Sequence, residues 1–416
     1  MTADRHSTEV ADVAIAGATF AGVALALALA DVLPGIAITL IDQRAHESDA
    51  PERDPRAFAI AAGSRNLLDA IGVWTRVATE AEPVRAIDIT DGSLDAAVRP
   101  VILGYDNALS DGEPASCIVP AEALRHALFD ALAAKGAGIQ HVRGAKAVAV
   151  IAGAGAADVR LADGSLVKAR LLVDADGRNE ALRDAANIGS VGWSYDQIGI
   201  VTVVTPERPH EGRAVQHFLP AGPFAILPMT GNRCCITWSE EAVRGRAILA
   251  LDDQAFLAEV EQRFGPRLGP LTLAGPRASW PLSLRLSREL VGTRLALVGE
   301  AVRLVHPIAG QGLNLALRDV AALAEVLADG IGLGLDPGDG EILRRYARWR
   351  RFDGWASSAA YDGLNRIFSG DNPLARTLRT AGLGLVDRLP ELKRWLVAEA
   401  AGQTGDVPRL LRSSRI

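Results

Sequence analysis

Cysteine is scarce in this sequence of 416 residues, which contains only Cys117, Cys234 and Cys235. Adjacent cysteines rarely bridge each other, and no spacing among the three matches a zinc site. These features argue against a disulfide framework and against a structural metal. We therefore expect three buried thiols in a protein of the reducing cytosol.

Long apolar runs are also missing, and so is an excess of positive charge. No stretch approaches the roughly 20 apolar residues that a helix needs to span a bilayer. Residues 1–10 are polar and lack the apolar core of a signal peptide. The formal net charge is -6, which argues against nucleic acid as the main partner. The sequence therefore predicts a cytoplasmic protein that does not bind nucleic acid.

The chain begins with a strand–turn–helix–strand unit. Residues 12–16 and 36–42 have the apolar pattern of strands, and an Ala- and Leu-rich helix is predicted between them over residues 20–30. A further helix is predicted over residues 121–135, because proline precedes it and glycine follows it. Such a unit is typical of nucleotide-binding folds.

A β-rich stretch interrupts this pattern. Short β-type runs separated by proline and glycine are predicted at residues 199–205, 214–219, 224–229 and 234–238. A buried strand at residues 171–173 precedes them. A strand at residues 295–299 and a helix ending near residue 327 follow, and the remainder is mostly helical. The predicted fold class is α/β, with one Rossmann-like domain interrupted by a β-rich substrate domain and followed by C-terminal helices.

The turn after the first strand contains Gly17, Thr19 and Gly22. A dinucleotide fingerprint has glycine at all three positions, because the pyrophosphate lies on the helix N-terminus and the backbone must approach it closely. Asp42 ends the next strand, 20 residues after Gly22, where an acid accepts hydrogen bonds from the adenosine ribose. An ordinary tight turn is the alternative, and the strand–helix–strand context favours nucleotide binding.

Two later segments share this glycine-rich character. Asp176 and Gly177 follow the buried strand at residues 171–173, although a plain loop explains them equally well. Glycines at a helix start let backbone N–H groups face an acceptor, and that helix end favours negative charge. A loop that only caps a helix leaves the density of Gly, Pro, His and Gln in the third segment unexplained. The third segment contains Gly299, Glu300, His306, Pro307, Gly310, Gln311, Gly312, Leu313 and Asn314.

Together, the three segments resemble the three FAD motifs of the flavoprotein aromatic-ring hydroxylases, in the same order along the chain. Residues 299–319 closely resemble the signature of the FAD-dependent ubiquinone-biosynthesis hydroxylases, and the resemblance covers nearly the whole chain. Further stretches that are similar to this family are residues 54–74, 216–228, 368–379 and 408–410.

The resemblance implies a flavoprotein monooxygenase that uses FAD, O₂ and reduced nicotinamide or another electron donor. In this family the residue at Glu300 holds the ribitol chain, and the segment from Gly310 to Asn314 cradles the isoalloxazine. The flavin carries the chemistry, so no catalytic side chain is assigned, and His306 and Pro307 are candidate residues beside the flavin. His306 is either a proton-handling group or a structural imidazole behind the flavin. No metal site is expected. The implied FAD contacts are Gly17, Thr19, Gly22, Asp42, Arg56, Asp176, Gly177, Gly299, Glu300, Gly310, Gly312, Leu313 and Asn314.

The same resemblance divides the chain into alternating parts of two domains. The FAD-binding domain is expected to comprise residues 1–85, 116–185 and 286–335. The substrate domain is expected to comprise residues 86–115 and 186–285, and residues 336–416 a C-terminal helical region.

The implied reaction is hydroxylation of the aromatic ring of a polyprenylated phenol in ubiquinone biosynthesis. The implied partners are this hydrophobic phenolic substrate and other proteins of the pathway. Two alternatives stay open, namely the same chemistry on a small soluble phenol and a degenerate, non-catalytic member that acts in a biosynthetic complex. A lipid substrate requires an apolar tunnel, whereas a soluble acid requires an arginine in a closed pocket.

Five positions depart from the family pattern. The longer side chains at Glu300 and Thr19 predict weaker FAD binding, because extra atoms in a packed site are destabilising. Arg303 is expected to compensate in part, by pairing with Glu300 or by adding positive charge near phosphate. The departures are Thr19 for glycine, Glu180 for serine, His217 for arginine, Glu300 for aspartate and Arg303 for histidine.

The C-terminal segment, residues 376–416, differs in charge from the rest of the chain. It contains eight Arg and Lys residues against four acids. With its interleaved apolar residues, it predicts an amphipathic helix that docks on anionic lipid or on an acidic partner. A helix packed on the protein's own core is the alternative.

Overall fold

The computed structural model describes residues 10–46, 54–92, 94, 99–177, 179–307, 310–351, 354, 363 and 389–412. The family-like stretch at residues 368–379 lies outside the described residues, as does the part of the basic segment before residue 389.

The first layer is a mixed sheet of eight strands. Numbered with all others in chain order, these are β1 (Ala11–Ala16), β2 (Ile38–Asp42), β8 (Ile139–Arg143), β9 (Ala147–Ala152), β10 (Ala157–Leu161), β11 (Leu166–Asp174), β18 (Val291–Gly292) and β19 (Leu295–Leu297). Five of them run parallel in the order β19-β11-β1-β2-β8. This is the Rossmann-like sheet that the sequence predicts, and its carboxyl edge is where ligands bind in such folds.

Three long helices flank this sheet: α1 (Phe20–Val32), α4 (Ala121–Lys135) and α8 (Gly312–Gly332). Residues 21–29 of α1 are buried without exception, and α1 contacts both α4 and α8. A helix that is apolar on all sides belongs in a core rather than on a surface. The position of α1 between the sheet and two other helices therefore explains its uniform Ala and Leu content.

The second layer is a nine-stranded sheet, which we call the roof sheet. Its strands are β5 (Ala86–Asp91), β6 (Val101–Asp106), β12 (Ser190–Pro206), β13 (Arg213–Leu219), β14 (Gly222–Met229), β15 (Arg233–Glu241), β16 (Leu271–Leu273), β17 (Ala278–Ser287) and β20 (Arg303–Leu304). Their order is β20-β17-β12-β15-β14-β13-β5-β6, with β16 paired to β12. Only the β13–β5 pair among these is parallel.

The two faces of the roof sheet pack on different elements. The outer face packs on helices α6 (Ala242–Leu249) and α7 (Asp253–Phe264). The inner face packs on a small antiparallel sheet of β3 (Ala57–Ala61), β4 (Glu82–Pro83) and β7 (Ser116–Pro120). The inner face is therefore directed toward the parallel sheet. Short helices connect these layers: α2 (Ala62–Ala70), α3 (Trp74–Val77) and α5 (Ala181–Ala185).

The C-terminal part is helical where it is described. Residues 340–351 are helical, a C-terminal helix spans Pro390–Ala400, and a short 3-10 helix spans Arg409–Arg412. The 3-10 helix packs on α2 and α8, where the Arg409 N–H donates to Glu325 Oε2 at 2.7 Å. None of the described helices has both the length and the apolar character required to cross a membrane.

Most predicted elements are confirmed, including the helix over residues 121–135 and the burial of all three cysteines. Several predicted ends are wrong. The strand predicted at residues 199–205 is only the second half of β12, because the exposed first half of β12 is held by pairing with β17. Helix α8 continues past residue 327 through Gly330. A Cβ on Gly330 would lie 2.2 Å from Ile342 Cδ1, so this glycine makes room for the next helix instead of ending its own.

Candidate functional site

The three glycine-rich segments meet at the carboxyl edge of the parallel sheet. They follow β1, β11 and β19, which are neighbours in the sheet. The backbone joins them, because the Ala175 N–H donates to Ala16 O at 2.8 Å and the Val298 N–H donates to Asp174 O at 2.9 Å. Segments that are more than 100 residues apart in sequence thus share one edge.

Glycine is required where the first segment meets the second. Gly17 has a φ of +103°, and a Cβ on it would lie 2.8 Å from Asp176 Cβ. A Cβ on Gly22 would lie 2.0 Å from the Gly17 carbonyl oxygen. Since real Cβ atoms do not approach other atoms so closely, neither position accepts another residue without movement of the backbone.

The second segment meets the third in the same way. A Cβ on Gly177 would lie 2.2 Å from Glu300 Cβ. The turns at residues 17–22, 174–177 and 299–300 are therefore in van der Waals contact. These contacts gather the three segments at the N-terminus of α1, and the N-terminus of a helix suits a pyrophosphate, so the residues present fit the expected FAD.

Thr19 has a structural role that the sequence did not reveal. Its φ of -82° is extended, so glycine is not needed there. Its Oγ1 caps α1 by accepting from the Gly22 N–H at 3.2 Å and donates to Ala175 O at 3.1 Å. Thr19 therefore joins the first segment to the second, in addition to any effect of its side chain on FAD binding.

Asp42 lies at the end of β2, beside Arg44 and His141. Arg44 donates to its carboxylate from Nε at 3.2 Å and also reaches Ala18 O at 2.8 Å. His141 Nε2 lies 3.5 Å from Asp42 Oδ2. Burial alone would raise the Asp42 pKa, but hydrogen bonds from His141 and Arg44 outweigh burial and hold the pKa below its usual value. Asp42 is therefore an ionised acceptor, and Arg44 is a neighbour that the motif did not predict.

Arg56 lies between the small sheet and the roof sheet. It forms a bidentate pair with Asp54, with an Nη2–Oδ2 distance of 2.6 Å, and its guanidinium lies 5.8 Å from the Trp280 ring centre. Burial alone would lower its pKa, but Asp54, and after it Glu300, raise it. Arg56 is thus a fixed positive charge near the third segment.

The second segment contains a fully buried carboxylate, Asp174, which its sequence motif does not mark as a site residue. Its Oδ1 accepts from the Asp176 N–H at 3.0 Å, while Oδ2 has no hydrogen-bond partner among the described residues. Burial raises its pKa to about 7, against the opposing effects of the Asp176 N–H and the Arg183 charge. Glu180, one of the departures, pairs with Arg183 at 3.4 Å.

Arg285 connects this segment to the roof sheet. It lies on β17 and donates to the carbonyl oxygen of Gly177 and to the carboxylate of Glu180. Glu180 therefore forms an ion pair with the roof sheet. A serine at this position could not form that ion pair.

The third segment leads into the N-terminus of α8. No side chain caps this helix, so N–H groups of its first turn lack intrahelical partners. Gly310 has a φ of +62°, and a Cβ on Gly312 would have no atom within 4 Å. Asn314 differs from the simple expectation, because its side chain accepts from Ala61 N at 3.0 Å and donates to Ala59 O at 2.8 Å. The side chain thus clamps α8 to β3, leaving only the backbone for a ligand; Leu313 follows Gly312 on the same turn.

Arg303 does not pair with Glu300, which corrects the expected compensation. Instead, its Nη1 bonds Asp319 Oδ2 at 2.8 Å, and Arg350 Nε bonds Asp319 Oδ1 at 2.8 Å. The Gly299 N–H donates to Asp319 Oδ2 at 3.2 Å. All three charged side chains are buried. Arg303 therefore supports the third segment from inside the protein, and it is Arg56 that adds positive charge near Glu300.

His306 and Pro307 lie where the third segment passes the roof sheet. The His306 ring is buried and meets the ring of Tyr195 edge-on, with 5.2 Å between centres. Tyr195 lies in an irregularity of β12, between Ser194 and Ile198, that no sequence signal indicated. His217 lies on the outer face, where it bonds Thr90 Oγ1 at 2.6 Å. His217 therefore lies on the face of the roof sheet opposite to the one that faces the small sheet.

Known proteins match the chain along almost its full length. A family described as "FAD binding domain" matches residues 10–357. The chain is 41% identical over 408 residues to the ubiquinone hydroxylase UbiL of Rhodospirillum rubrum, covering 97% of this chain and 93% of that protein. It is 32% identical over 403 residues to the 3-demethoxyubiquinol 3-hydroxylase of Escherichia coli, covering 94% of this chain and 98% of that protein.

A solved structure shows the same fold. The p-nitrophenol 4-monooxygenase PnpA from Pseudomonas putida superposes with a TM-score of 0.74 at 15% identity, over 95% of this chain and 99% of that chain. The predicted fold class and the predicted enzyme class, a flavoprotein monooxygenase, are confirmed by these matches. With the family match over residues 10–357 and the two full-length relatives, the chain belongs to the FAD-dependent monooxygenases, among the ubiquinone-biosynthesis hydroxylases.

Proposed function

We propose that this chain hydroxylates the aromatic ring of a polyprenylated phenol in ubiquinone biosynthesis. The observation that carries the proposal is the contact among the turns at residues 17–22, 174–177 and 299–300, which supports an FAD site at this edge of the parallel sheet. The names of the two relatives at 41% and 32% identity support a quinone precursor as the substrate.

The cofactor and its partners follow from this proposal. Bound flavin supplies the transfer of one oxygen atom from O₂ to an electron-rich ring, with reduced nicotinamide or another donor supplying electrons. The protein binds the cofactor, orients the ring and excludes water. The residues proposed to hold FAD are Gly17, Thr19, Gly22, Asp42, Arg56, Asp176, Gly177, Gly299, Glu300, Gly310, Gly312, Leu313 and Asn314, with His306 and Pro307 beside the flavin.

The inner face of the roof sheet favours an apolar phenol over a small acidic one. The row of residues across its middle strands contains no charged side chain, and Arg56, which approaches this face at Trp280, is already paired with Asp54. His217, which takes the place of an arginine in the family, is on the opposite face. The row consists of Ile89, Gln216, Ala225, Thr237 and Val201.

Two measurements test this function. A yellow preparation with a flavin spectrum is expected, and a colourless protein that cannot be loaded with FAD would favour the non-catalytic alternative. Deleting the gene in a strain without a redundant hydroxylase should lower ubiquinone and accumulate a prenylated intermediate that lacks one ring hydroxyl. Unchanged quinone with loss of growth on a soluble phenol would favour the catabolic alternative.

We also propose peripheral contact with a membrane, since a polyprenylated substrate resides there, and contact with other proteins of ubiquinone biosynthesis. The C-terminal helix supports membrane contact, because Trp395 is 55% exposed and Leu396 is 40% exposed. Large exposed apolar side chains on one helix are typical of interfacial segments.

A further inference from the structure

The long strand β12 is interrupted by a bulge that begins at Tyr195. Pairing with β17 stops at Ser194 and resumes at Ile198. Residues 195–197 of β12 therefore lie opposite Leu282 alone. Extra residues on one strand bend it locally, and bulges beside active sites serve to re-aim a side chain.

The backbone of the bulge has an unusual conformation at Asp196. Its φ of +53° is in the left-handed region, which residues other than glycine seldom adopt. The Asp196 N–H donates to Ser194 Oγ at 3.3 Å, so a local hydrogen bond supports the turn. Such conformations cost free energy, persist where the surrounding structure fixes them, and cluster at functional sites. Continuation of the sheet alone does not explain this one.

The bulge directs the Tyr195 side chain toward the third segment. Its ring meets the His306 ring edge-on, with 5.2 Å between centres and 83° between planes. His306 is 2% exposed, and Tyr195 is half-buried. Pro307 follows His306, and its carbonyl oxygen accepts from the Gly310 N–H at 3.0 Å. The contact between the two rings therefore lies at the start of the turn that leads into α8.

The elements on either side of this turn are held by backbone pairing. On one side, β20 pairs with β17, with Leu304 opposite Arg285. This pairing ends at Leu304, two residues before His306, and α8 begins at Gly312. The Tyr195 ring thus contacts the stretch that joins a strand of the roof sheet to the helix.

We propose that Tyr195 is a positioning residue for FAD and that it acts through His306. In the proposed site, the backbone from Gly310 to Asn314 holds the isoalloxazine, so the turn before it must have a fixed position. An aromatic ring that meets the imidazole edge-on restricts this turn, because ring pairs prefer that geometry. The inference rests on the proposed function and adds a residue of the roof sheet to the flavin site.

Titration of the apoprotein with FAD tests this role, together with the visible circular dichroism of the bound flavin. Tyr195→Leu should weaken FAD binding about three- to tenfold, as expected for loss of an edge-on aromatic pair, and should change the flavin signal at saturating FAD. Tyr195→Phe keeps the ring and should bind FAD like the wild type. In a His306→Leu background, Tyr195→Leu should have no further effect. Val191→Ala, at an exposed position on the same half of β12, is the control and should bind FAD like the wild type.

Substitution of Asp196 tests whether the bulge aims the ring. Glycine adopts the left-handed region readily, whereas a β-branched residue does so only with strain. Asp196→Gly should therefore keep the affinity for FAD, and Asp196→Val should weaken it to a similar extent as Tyr195→Leu. This pair also keeps the test decisive if Tyr195→Leu fails to fold, which thermal unfolding of the apoprotein shows.

The outcomes separate this inference from the proposed function. A wild-type apoprotein that cannot be loaded with FAD would overturn the proposed function. If the wild type binds FAD, unchanged affinity in Tyr195→Leu, or an equal loss in Tyr195→Phe, would overturn only the role of the Tyr195 ring. Additive losses in the double variant would also overturn it, because Tyr195 would then not act through His306.

Discussion

At the scale of single residues, the buried carboxylate of Asp174 couples the second flavin segment to pH. Its folded pKa of about 7 exceeds the value of about 4 expected in the unfolded chain. The folded state therefore holds this proton more tightly, and the resulting stabilisation is complete below about pH 4 and is lost as the pH rises to 7.

Asp174→Asn should remove this dependence, because asparagine is neutral at all pH values and its Oδ1 can still accept from the Asp176 N–H. The free energy of unfolding should rise by roughly 2–4 kcal/mol at pH 8 relative to wild type, and should change little at pH 4. Urea denaturation at both pH values measures this. Asp158→Asn, an exposed carboxylate on β10, is the control and should show no such difference. An equal effect at both pH values would contradict the prediction.

His217 contributes with the opposite sign in the acid range. Burial and the nearby Arg99 charge lower its pKa to about 4, below the unfolded value of about 6.5. Its contribution to stability is therefore present above pH 6.5 and lost as the pH falls to 4. The two residues together flatten the dependence of wild-type stability on pH between about 4 and 6.5.

Substitution of Gly312 separates an effect on FAD binding from an effect on the stability of the apoprotein. Among the described residues, no atom lies within 4 Å of a Cβ placed there, so Gly312→Ala should leave the apoprotein intact or stabilise it by up to about 0.5–1 kcal/mol. If the isoalloxazine lies against this turn, the same methyl group should weaken FAD binding about tenfold or more. Gly332→Ala at the other end of α8, where a Cβ also meets nothing, is the matched control. Thermal unfolding of the apoprotein and FAD titration measure the two effects, and equal FAD affinity in both variants would remove Gly312 from the site.

Glu300 stands where the family has an aspartate, and its effect on FAD affinity can be measured directly. Its backbone and Cβ are packed against Gly177, so a longer side chain has less freedom to turn back toward a ribitol. Glu300→Asp should bind FAD about fivefold more tightly or better, since relief of one forced methylene is worth about 1–3 kcal/mol. Titration of apoprotein with FAD measures this. Equal or weaker binding by a folded Glu300→Asp would show that glutamate fits without strain.

At the scale of elements, one carboxylate joins the third flavin segment to two helices. Asp319 on α8 binds Arg303 of β20, Arg350 of the helical residues 340–351, and the Gly299 N–H. Asp319 is 0% exposed. Removal of one partner from such a cluster leaves an uncompensated buried charge.

Asp319→Asn should therefore lower the free energy of unfolding by about 3–5 kcal/mol and reduce the fraction of protein that retains FAD, because the third segment loses its anchor. Chemical denaturation and the ratio of flavin to protein absorbance measure these effects. Glu341→Gln removes one partner of an exposed pair with Arg344 and should cost less than about 1 kcal/mol. A similar small cost for both variants would contradict an anchoring role.

The sequence predicts these elements well where the signal is local. The β1–α1–β2 unit follows from periodicity and from the glycines at 17 and 22, and the helix over residues 121–135 follows from its flanking proline and glycine. Strand β17 was not predicted, because its place depends on pairing with β12, which is about 80 residues away in sequence. Tyr195, whose ring meets that of His306, was not predicted for the same reason, since only the strand register shows which way its side chain points.

At the scale of the whole molecule, two basic side chains of the C-terminal segment bind groups of the protein itself, so fewer charges can bind lipid than the sequence indicates. Lys393 donates to Gly104 O at 2.9 Å, and Arg409 pairs with Glu325 and Asp329 of α8. We therefore expect the exposed apolar residues of the C-terminal helix to contribute most to any contact with a membrane.

Flotation with anionic liposomes tests this expectation. The full chain should float at low salt, and Trp395→Ala should reduce the bound fraction severalfold, because the side chain that inserts at the interface is lost. Leu333→Ala, at a site that is 81% exposed but outside the C-terminal helix, should float like the wild type. Failure of the full chain to float at low salt would argue against membrane docking.

The contact among residues 17–22, 174–177 and 299–300 also determines when during synthesis the protein can acquire its cofactor. The first of these turns leaves the ribosome long before the last, and between them lies most of the roof sheet. Contacts between segments so far apart in sequence form late, since long loops must close first. A nascent chain that ends before residue 300 therefore lacks one wall of the cradle, however well its first βαβ unit has folded. Flavin insertion into a complete cradle therefore requires that at least the first 300 of the 416 residues have been synthesised.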